Sequence, residues 1–301
     1  MTMTSDPEVT AALAGATPPP PGDWKAFRAS VAAAYPVLTA DLPRPEVGHQ
    51  VFTTTSEDGR PVDLHWFTPA GTSSKAAVVH AHGGGLVAGS VELLSPFLIQ
   101  HVAASGVPAL SVAYRLLPDE GVPHDDVFAG LTWLIEHADE LGVDPDRIAV
   151  MGESAGGGLA AATAVRARDA GRALARQILI YPMLDDRSTT ALPHTEPWDG
   201  GLAETLRVCW ELLLGPGEAP ATLAPGRLTD FTGLPPAYLE VGDLDLFRDE
   251  TTRYAQGLWA AGINAELHVL PGMMHGWDHY APRSSTFADV FARRISVLKS
   301  L

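Results

Sequence analysis

Residues 147–165 place the tightest constraint on this chain. An apolar run, Arg147-Ile148-Ala149-Val150-Met151, leads into Gly152-Glu153-Ser154-Ala155-Gly156-Gly157, and the helix-like stretch Leu159-Ala160-Ala161-Ala162-Thr163-Ala164-Val165 follows. Strand, sharp turn and helix in that order is the setting that the pattern Gly-x-Ser-x-Gly needs. A serine held at such a turn crowds the neighbouring backbone, and Gly152 and Gly156 leave room where a Cβ would clash. Upstream, His82-Gly83-Gly84-Gly85 follows another apolar run. Glycines there let several N–H groups converge on one point. Each segment is a weak signal alone. Together, in this order, they read as an oxyanion-binding loop and a serine nucleophile.

The rest of the chain supplies a matching scaffold. The hydrophobic pattern predicts strands over 47–54 and 62–67, with Glu57-Asp58-Gly59 turning between them as a hairpin. Strands and helices then alternate. Strands are expected at 76–80, 107–114, 148–151, 178–181, 237–241 and 265–269, and helices at 126–141, 249–261 and 287–298. In the first of these helices Val127, Leu131, Leu134 and Ile135 fall on one face. Gly262 stands where a left-handed residue would stop the second. This alternation predicts an α/β fold, a mostly parallel central sheet with helices on both faces and an antiparallel hairpin at its start. Residues 185–227 break the rhythm. They are rich in Pro, Gly and Trp, with a helical stretch at 202–214, and such an excursion between core strands reads as a lid or cap. Helix-like stretches at 6–14 and 23–35 flank a proline spacer, Thr17-Pro18-Pro19-Pro20-Pro21-Gly22, and Pro36 is expected to close that region. The expected organisation is N-terminal cap helices at 1–45, core at 46–184, a cap insertion at 185–227 and core again at 228–301.

Bulk properties narrow the function classes. The formal net charge of −16 argues against nucleic acid and anionic membrane surfaces as partners. One cysteine, Cys209, permits no internal disulfide. The first ten residues lack a charged-then-apolar signal pattern, and no apolar run is long enough to span a membrane. The expectation is a cytoplasmic enzyme that acts on a small molecule.

A serine hydroxyl needs a base to take its proton and a third group to hold that base. In a fold of this class an acid and then a histidine follow the serine, each just past a strand. After the strand at 237–241 the acids Asp243, Asp245 and Asp249 compete. After the strand at 265–269, His275 lies in a glycine-flanked loop and is the candidate base; His268 lies inside the strand and His279 further on. The pairs His80/His82 and His275/His279 imitate metal sites. No glutamate follows His275 and Gly276 interrupts any helix there, so neither a metal nor another cofactor is expected. His82 reads as a loop-orienting residue. Glu153 is open between a hydrogen bond near the turn and plain solvation.

These motifs resemble the hormone-sensitive-lipase-like branch of the α/β-hydrolases, the bacterial carboxylesterases, over roughly residue 62 to the C-terminus. Besides the two glycine-rich segments, Tyr114-Arg115-Leu116-Leu117-Pro118-Asp119 resembles Tyr-Arg-Leu-Ala-Pro-Glu, Asp245-Leu246-Phe247-Arg248-Asp249 resembles Asp-Pro-Leu-Arg-Asp, and His275-Gly276-Trp277 resembles His-Gly-Phe. The resemblance selects Asp245 as the acid. It implies an α/β-hydrolase fold with a helical cap and hydrolysis of short-to-medium acyl esters through an acyl-enzyme. Ser154, Asp245 and His275 would be the triad, with Gly83, Gly84 and Ala155 as oxyanion donors. Leu86, Trp24, Phe27, Trp198 and Trp210 are candidates for the acyl pocket. Dimers are common in this family, often through the last strand and helix. Amide or lactone cleavage on the same triad, or ligand binding without catalysis, is the alternative reading.

Overall fold

The computed structural model describes residues 3–71, 73–118, 121–188, 201–217 and 219–301. Its strands are β1 (Val47–Thr55), β2 (Pro61–Pro69), β3 (Ala77–Ala81), β4 (Ala109–Val112), β5 (Ile148–Glu153), β6 (Arg176–Ile180), β7 (Ala237–Gly242) and β8 (Ala265–Leu270). Its helices are α1 (Pro7–Ala12), α2 (Trp24–Leu38), α3 (Val91–Ser105), α4 (Pro123–Glu136), α5 (Ala155–Asp169), α6 (Leu202–Leu214), α7 (Arg248–Ala260), α8 (Trp277–Tyr280) and α9 (Ser285–Lys299). The strands form one sheet in the order β1-β2-β4-β3-β5-β6-β7-β8. β1 and β2 form the expected hairpin, β2 runs antiparallel to β4, and every later pairing is parallel.

Side chains of the central strands leave alternately by the two faces. Val79 and Val150 join Leu131 of α4, Leu159 of α5 and Leu258 of α7 in one core. Their neighbours Val78 and Ala149 join Leu98 and Val102 of α3 and Val297 of α9 in the other. Burial on both sides explains why β3 and β5 read as continuous apolar runs rather than alternating ones.

Besides the short α8, which starts right after Gly276 where no helix was expected, three elements depart from the sequence pattern. α3 falls between two expected strands where no helix was expected. It is apolar nearly all round, carries Pro96 in its interior and packs between β2 and α9, so no polar stripe marks its period. The punctuation was there: Ser90 accepts from the Leu93 N–H at 3.3 Å as N-cap, and Gly106 ends the helix in the left-handed region. α2 continues through Pro36 to Leu38, because a proline in the last turn removes only one ladder bond. α4 begins at Pro123 rather than Asp126, with proline in the first turn, and ends at Glu136. No described helix is long and apolar enough to cross a membrane.

Candidate active site

Ser154 stands between β5 and α5 with φ +56° and ψ −122°, a region that L-residues rarely occupy. The surrounding backbone is too close for side chains. A Cβ on Gly156 would lie 2.0 Å from the Ala81 carbonyl oxygen, and one on Gly152 would lie 2.2 Å from that of Gly156. Hydrogen bonds hold the turn from both sides. The Ser154 N–H donates to Ile180 at 2.9 Å, and its carbonyl accepts from Met183 at 2.9 Å.

The loops after β7 and β8 bring two further groups to this serine. Ser154 Oγ is 2.8 Å from His275 Nε2, and His275 Nδ1 is 2.9 Å from Asp245 Oδ2. Asp245 is fully buried, and its other oxygen accepts from the Phe247 N–H at 2.9 Å. Tyr181 and Phe247 present ring edges to the imidazole at centroid distances of 5.1 and 4.9 Å. The rival acids point elsewhere. Asp243 accepts from the Gly272 N–H at 2.6 Å and so braces the loop after β8. Asp249 pairs with Arg248, and Glu250 turns inward to the Leu184 and Asp185 N–H groups at 2.6 and 3.2 Å. Burial pushes the Glu250 carboxyl up to about 8, so it holds its proton at neutrality.

Gly83 lies directly beside the serine: its Cβ position is 3.5 Å from Ser154 Cβ. Two side chains fix the peptide planes here. Tyr114 donates to the His82 carbonyl at 2.7 Å, and His82 Nδ1 donates to the Gly83 carbonyl at 2.7 Å. Because N–H and C=O of a trans peptide point in opposite directions, both carbonyls turn away from the side to which the Gly83 and Gly84 N–H groups point. Among the described residues no protein group accepts from the N–H of Gly83, Gly84 or Ala155. Ala155 opens α5, so its N–H also lies at the positive end of the helix dipole. Burial lowers His82 to about 4, which keeps its ring neutral.

The expected pocket residues meet different fates. Leu86 is buried in the loop with φ +66°. Phe27 of α2 and Leu206 and Cys209 of α6 crowd the Gly85 Cβ position at 3.3–3.5 Å. Trp210 is buried in the core. Trp24 is only partly buried and carries the Arg28 guanidinium over its ring, 4.8 Å from the centroid. Trp198 lies outside the described residues.

The four histidines of the imitation metal pairs each have a separate partner. His80 donates from Nε2 to Glu153 at 3.1 Å and meets Ser111 Oγ at 2.9 Å through Nδ1. His82 and His275 are bonded as above, and His279 Nδ1 is 2.7 Å from the Tyr35 hydroxyl. Glu153 is therefore a buried partner of His80 behind the turn. Burial alone would raise its carboxyl, but the charge and hydrogen bond of His80 hold it below its ordinary value. A buried ionic cluster had no sequence signal. Arg294 of α9 bonds Glu240 and also Asp278, the latter at 2.8 Å, while Tyr181 donates to Asp278 at 2.7 Å. Burial would raise Asp278; Arg294 overcomes it and holds the carboxyl down at about 2. This cluster fixes α8, which follows His275 directly.

A family model described as alpha/beta hydrolase fold matches residues 78–279. The carboxylesterase NlhH of Mycobacterium tuberculosis is 36% identical over 254 residues, covering 79% of this chain and 77% of that protein. An ethyl acetate hydrolase of Pseudomonas putida is 31% identical over 237 residues, 73% of each chain. Among solved structures, a bacterial heroin esterase superposes with a TM-score of 0.89 at 35% identity, covering 99% of this chain and 98% of its own.

Proposed function

The chain belongs to the α/β-hydrolase family, and we propose on that premise that it is a serine carboxylesterase working through an acyl-enzyme. The observation that carries the proposal is the unbroken chain Ser154–His275–Asp245 beside three backbone N–H groups that have no protein acceptor among the described residues. Ser154 Oγ attacks the ester carbonyl while His275 Nε2 takes its proton. Asp245 holds the Nδ1–H tautomer and offsets the imidazolium charge. Gly83, Gly84 and Ala155 donate to the oxyanion, each such donor contributing about 3 kcal/mol to the lowered barrier. Collapse expels the alcohol, which leaves with the proton from His275. Water then attacks the acyl-enzyme by the same route in reverse.

Short-to-medium acyl esters are the proposed substrates. One relative is named for ethyl acetate, which supports a short acyl chain. Residues 1–45 and 185–227 are taken as the cap, supported by the packing of α2 against α6. The single buried cysteine, which demands no oxidising compartment, supports a cytoplasmic enzyme, and β8, an edge strand, offers a surface for a homodimer. The test is hydrolysis of p-nitrophenyl acetate, butyrate, octanoate and palmitate by wild type and Ser154→Ala, with and without EDTA. Turnover is expected to vanish in the variant, ignore EDTA and fall off beyond octanoate. Turnover that survives the substitution overturns the assignment of the nucleophile.

A further inference from the structure

The loop that carries Gly83 and Gly84 is tied to segments outside itself as well as internally. Gly84, Gly85 and Leu86 have φ values of +129°, +61° and +66°, three left-handed residues in succession. A leucine in that region persists only where its surroundings over-determine it. Within the loop the Gly84 carbonyl accepts from Val87 and Ala88 at 3.1 and 2.9 Å. Apart from these and the bond from His82 to the Gly83 carbonyl, the ties come from outside. The Leu117 N–H donates to the Leu86 carbonyl at 2.9 Å. Arg28 of α2 donates from Nε to the Val87 carbonyl at 2.5 Å and from Nη2 to the Leu117 carbonyl at 2.6 Å. Val87 and Leu117 are buried, and among the described residues no other group donates to either carbonyl. One planar guanidinium therefore closes a ring: it grips the peptide next to the strained leucine and the segment to which that leucine is bonded. A lysine, a single point donor, cannot span both carbonyls in this way.

We propose that Arg28 is a positioning residue for the oxyanion loop, acting from the cap helix through the Val87 and Leu117 carbonyls. This rests on the serine esterase reading for its catalytic consequence but not for its structural one. Without the guanidinium the buried carbonyls lose their donor and the left-handed turn at 84–86 loses its outer support. The N–H groups of Gly83 and Gly84 then no longer converge at the spacing an oxyanion needs. Small misplacements of such groups cost rate out of proportion to their size. Contacts that matter only in the transition state lower kcat and leave KM alone.

The test compares Arg28→Met, Arg28→Lys and Ala29→Gly. Methionine keeps an apolar stem without donors. Ala29 is exposed on the same helix, and glycine there loosens α2 without touching the loop. Two readouts are taken: kcat and KM for p-nitrophenyl acetate, and hydrogen exchange of the peptide spanning 82–90. Arg28→Met is expected to lower kcat by roughly tenfold to a hundredfold with KM within about twofold, and to speed exchange in 82–90 while β5 stays protected. Arg28→Lys falls between, and Ala29→Gly lowers Tm with kcat and the loop unchanged. Unchanged exchange in 82–90 for Arg28→Met overturns the proposal whether or not the protein hydrolyses esters. Faster exchange with unchanged kcat overturns its catalytic half. An equal loss of kcat in Ala29→Gly overturns it in favour of general helix docking. A wild type inactive on every ester refutes the esterase reading instead, and the exchange result still decides the role of Arg28 in holding the loop.

Discussion

Glu250→Gln should make this protein more stable in alkali, and the magnitude can be worked from the site. The Glu250 side chain is buried on α7 and accepts from the Leu184 and Asp185 N–H groups, at the point where the chain leaves β6. Among the described residues its second oxygen has no hydrogen-bond partner. Burial raises its carboxyl from 4.5 to about 8. An acid raised in the folded state stabilises the fold fully below its unfolded value and loses that contribution as pH rises. The unfolded chain gives up the proton near 4.5 while the folded chain keeps it to about 8, so stability falls throughout that window. At about 1.4 kcal/mol per unit, the raised pKa represents a loss of roughly 5 kcal/mol by pH 8 and beyond. Glutamine keeps the accepting oxygen for the two amides and cannot ionise. Urea unfolding of both proteins at pH 5, 7 and 9 measures the effect. At pH 5 the two should lie within about 1 kcal/mol of each other, because the acid is still mostly protonated when folded. By pH 9 the variant should be the more stable by several kcal/mol. Parallel curves, with a constant offset at all three pH values, would refute the argument, for they would mean that the carboxyl ionises equally in both states.

The acid limb should be steep for the opposite reason. Burial lowers His82, His101 and His124 to about 4 each, so the stability present above pH 6.5 is lost as pH falls toward 4. His101→Gln, removing one of these groups, should recover about 3 kcal/mol of that loss at pH 4, measured by urea unfolding at pH 7, 5.5 and 4. Asp245→Asn should lower kcat by about four orders of magnitude with little change in KM, because the imidazole loses its required tautomer. Asp243→Asn should keep most of the rate, since Asp243 braces the Gly272 N–H rather than the imidazole. Steady-state kinetics on p-nitrophenyl acetate decides both, and equal losses in the two variants would refute the division of labour.

Much of this architecture was legible because local signals agree with global ones. The hairpin, the parallel strands and the helix after the serine each carry their own period or turn chemistry, and the glycines at 152 and 156 announce a backbone crossing that the Ala81 carbonyl makes real. α3 was not legible, because its mostly apolar sequence shows neither a clear polar face nor a strand's alternation. The choice between Asp243 and Asp245 could not be made from local pattern, since both follow the same strand within three residues. Their difference lies in the turn. One carboxylate reaches a backbone N–H after β8 and the other a ring three residues further on.

The least legible part is the buried charge, and the reason is physical. A buried ion needs a partner, and that partner can sit anywhere in the sequence. Glu240 reads as the polar residue of a half-exposed strand and Arg294 as the outer face of an amphipathic helix; they meet across fifty-four residues because β7 and α9 are neighbours only in space. Arg28 reads equally as a surface residue of a cap helix until its guanidinium is found on two carbonyls of the body. Removing one partner from such an arrangement leaves the other buried and unsatisfied, which costs far more than the intact contact contributes. The groups hidden from sequence reading are therefore ones that tie α2, the loop at 82–90 and the segment after β8 to the body of the fold. Substitutions at Arg28, Tyr35 and Arg294 should for that reason couple to one another in double-mutant cycles, although each lies in a different helix or turn of helix. Additive effects would show that the three anchors act on the site independently.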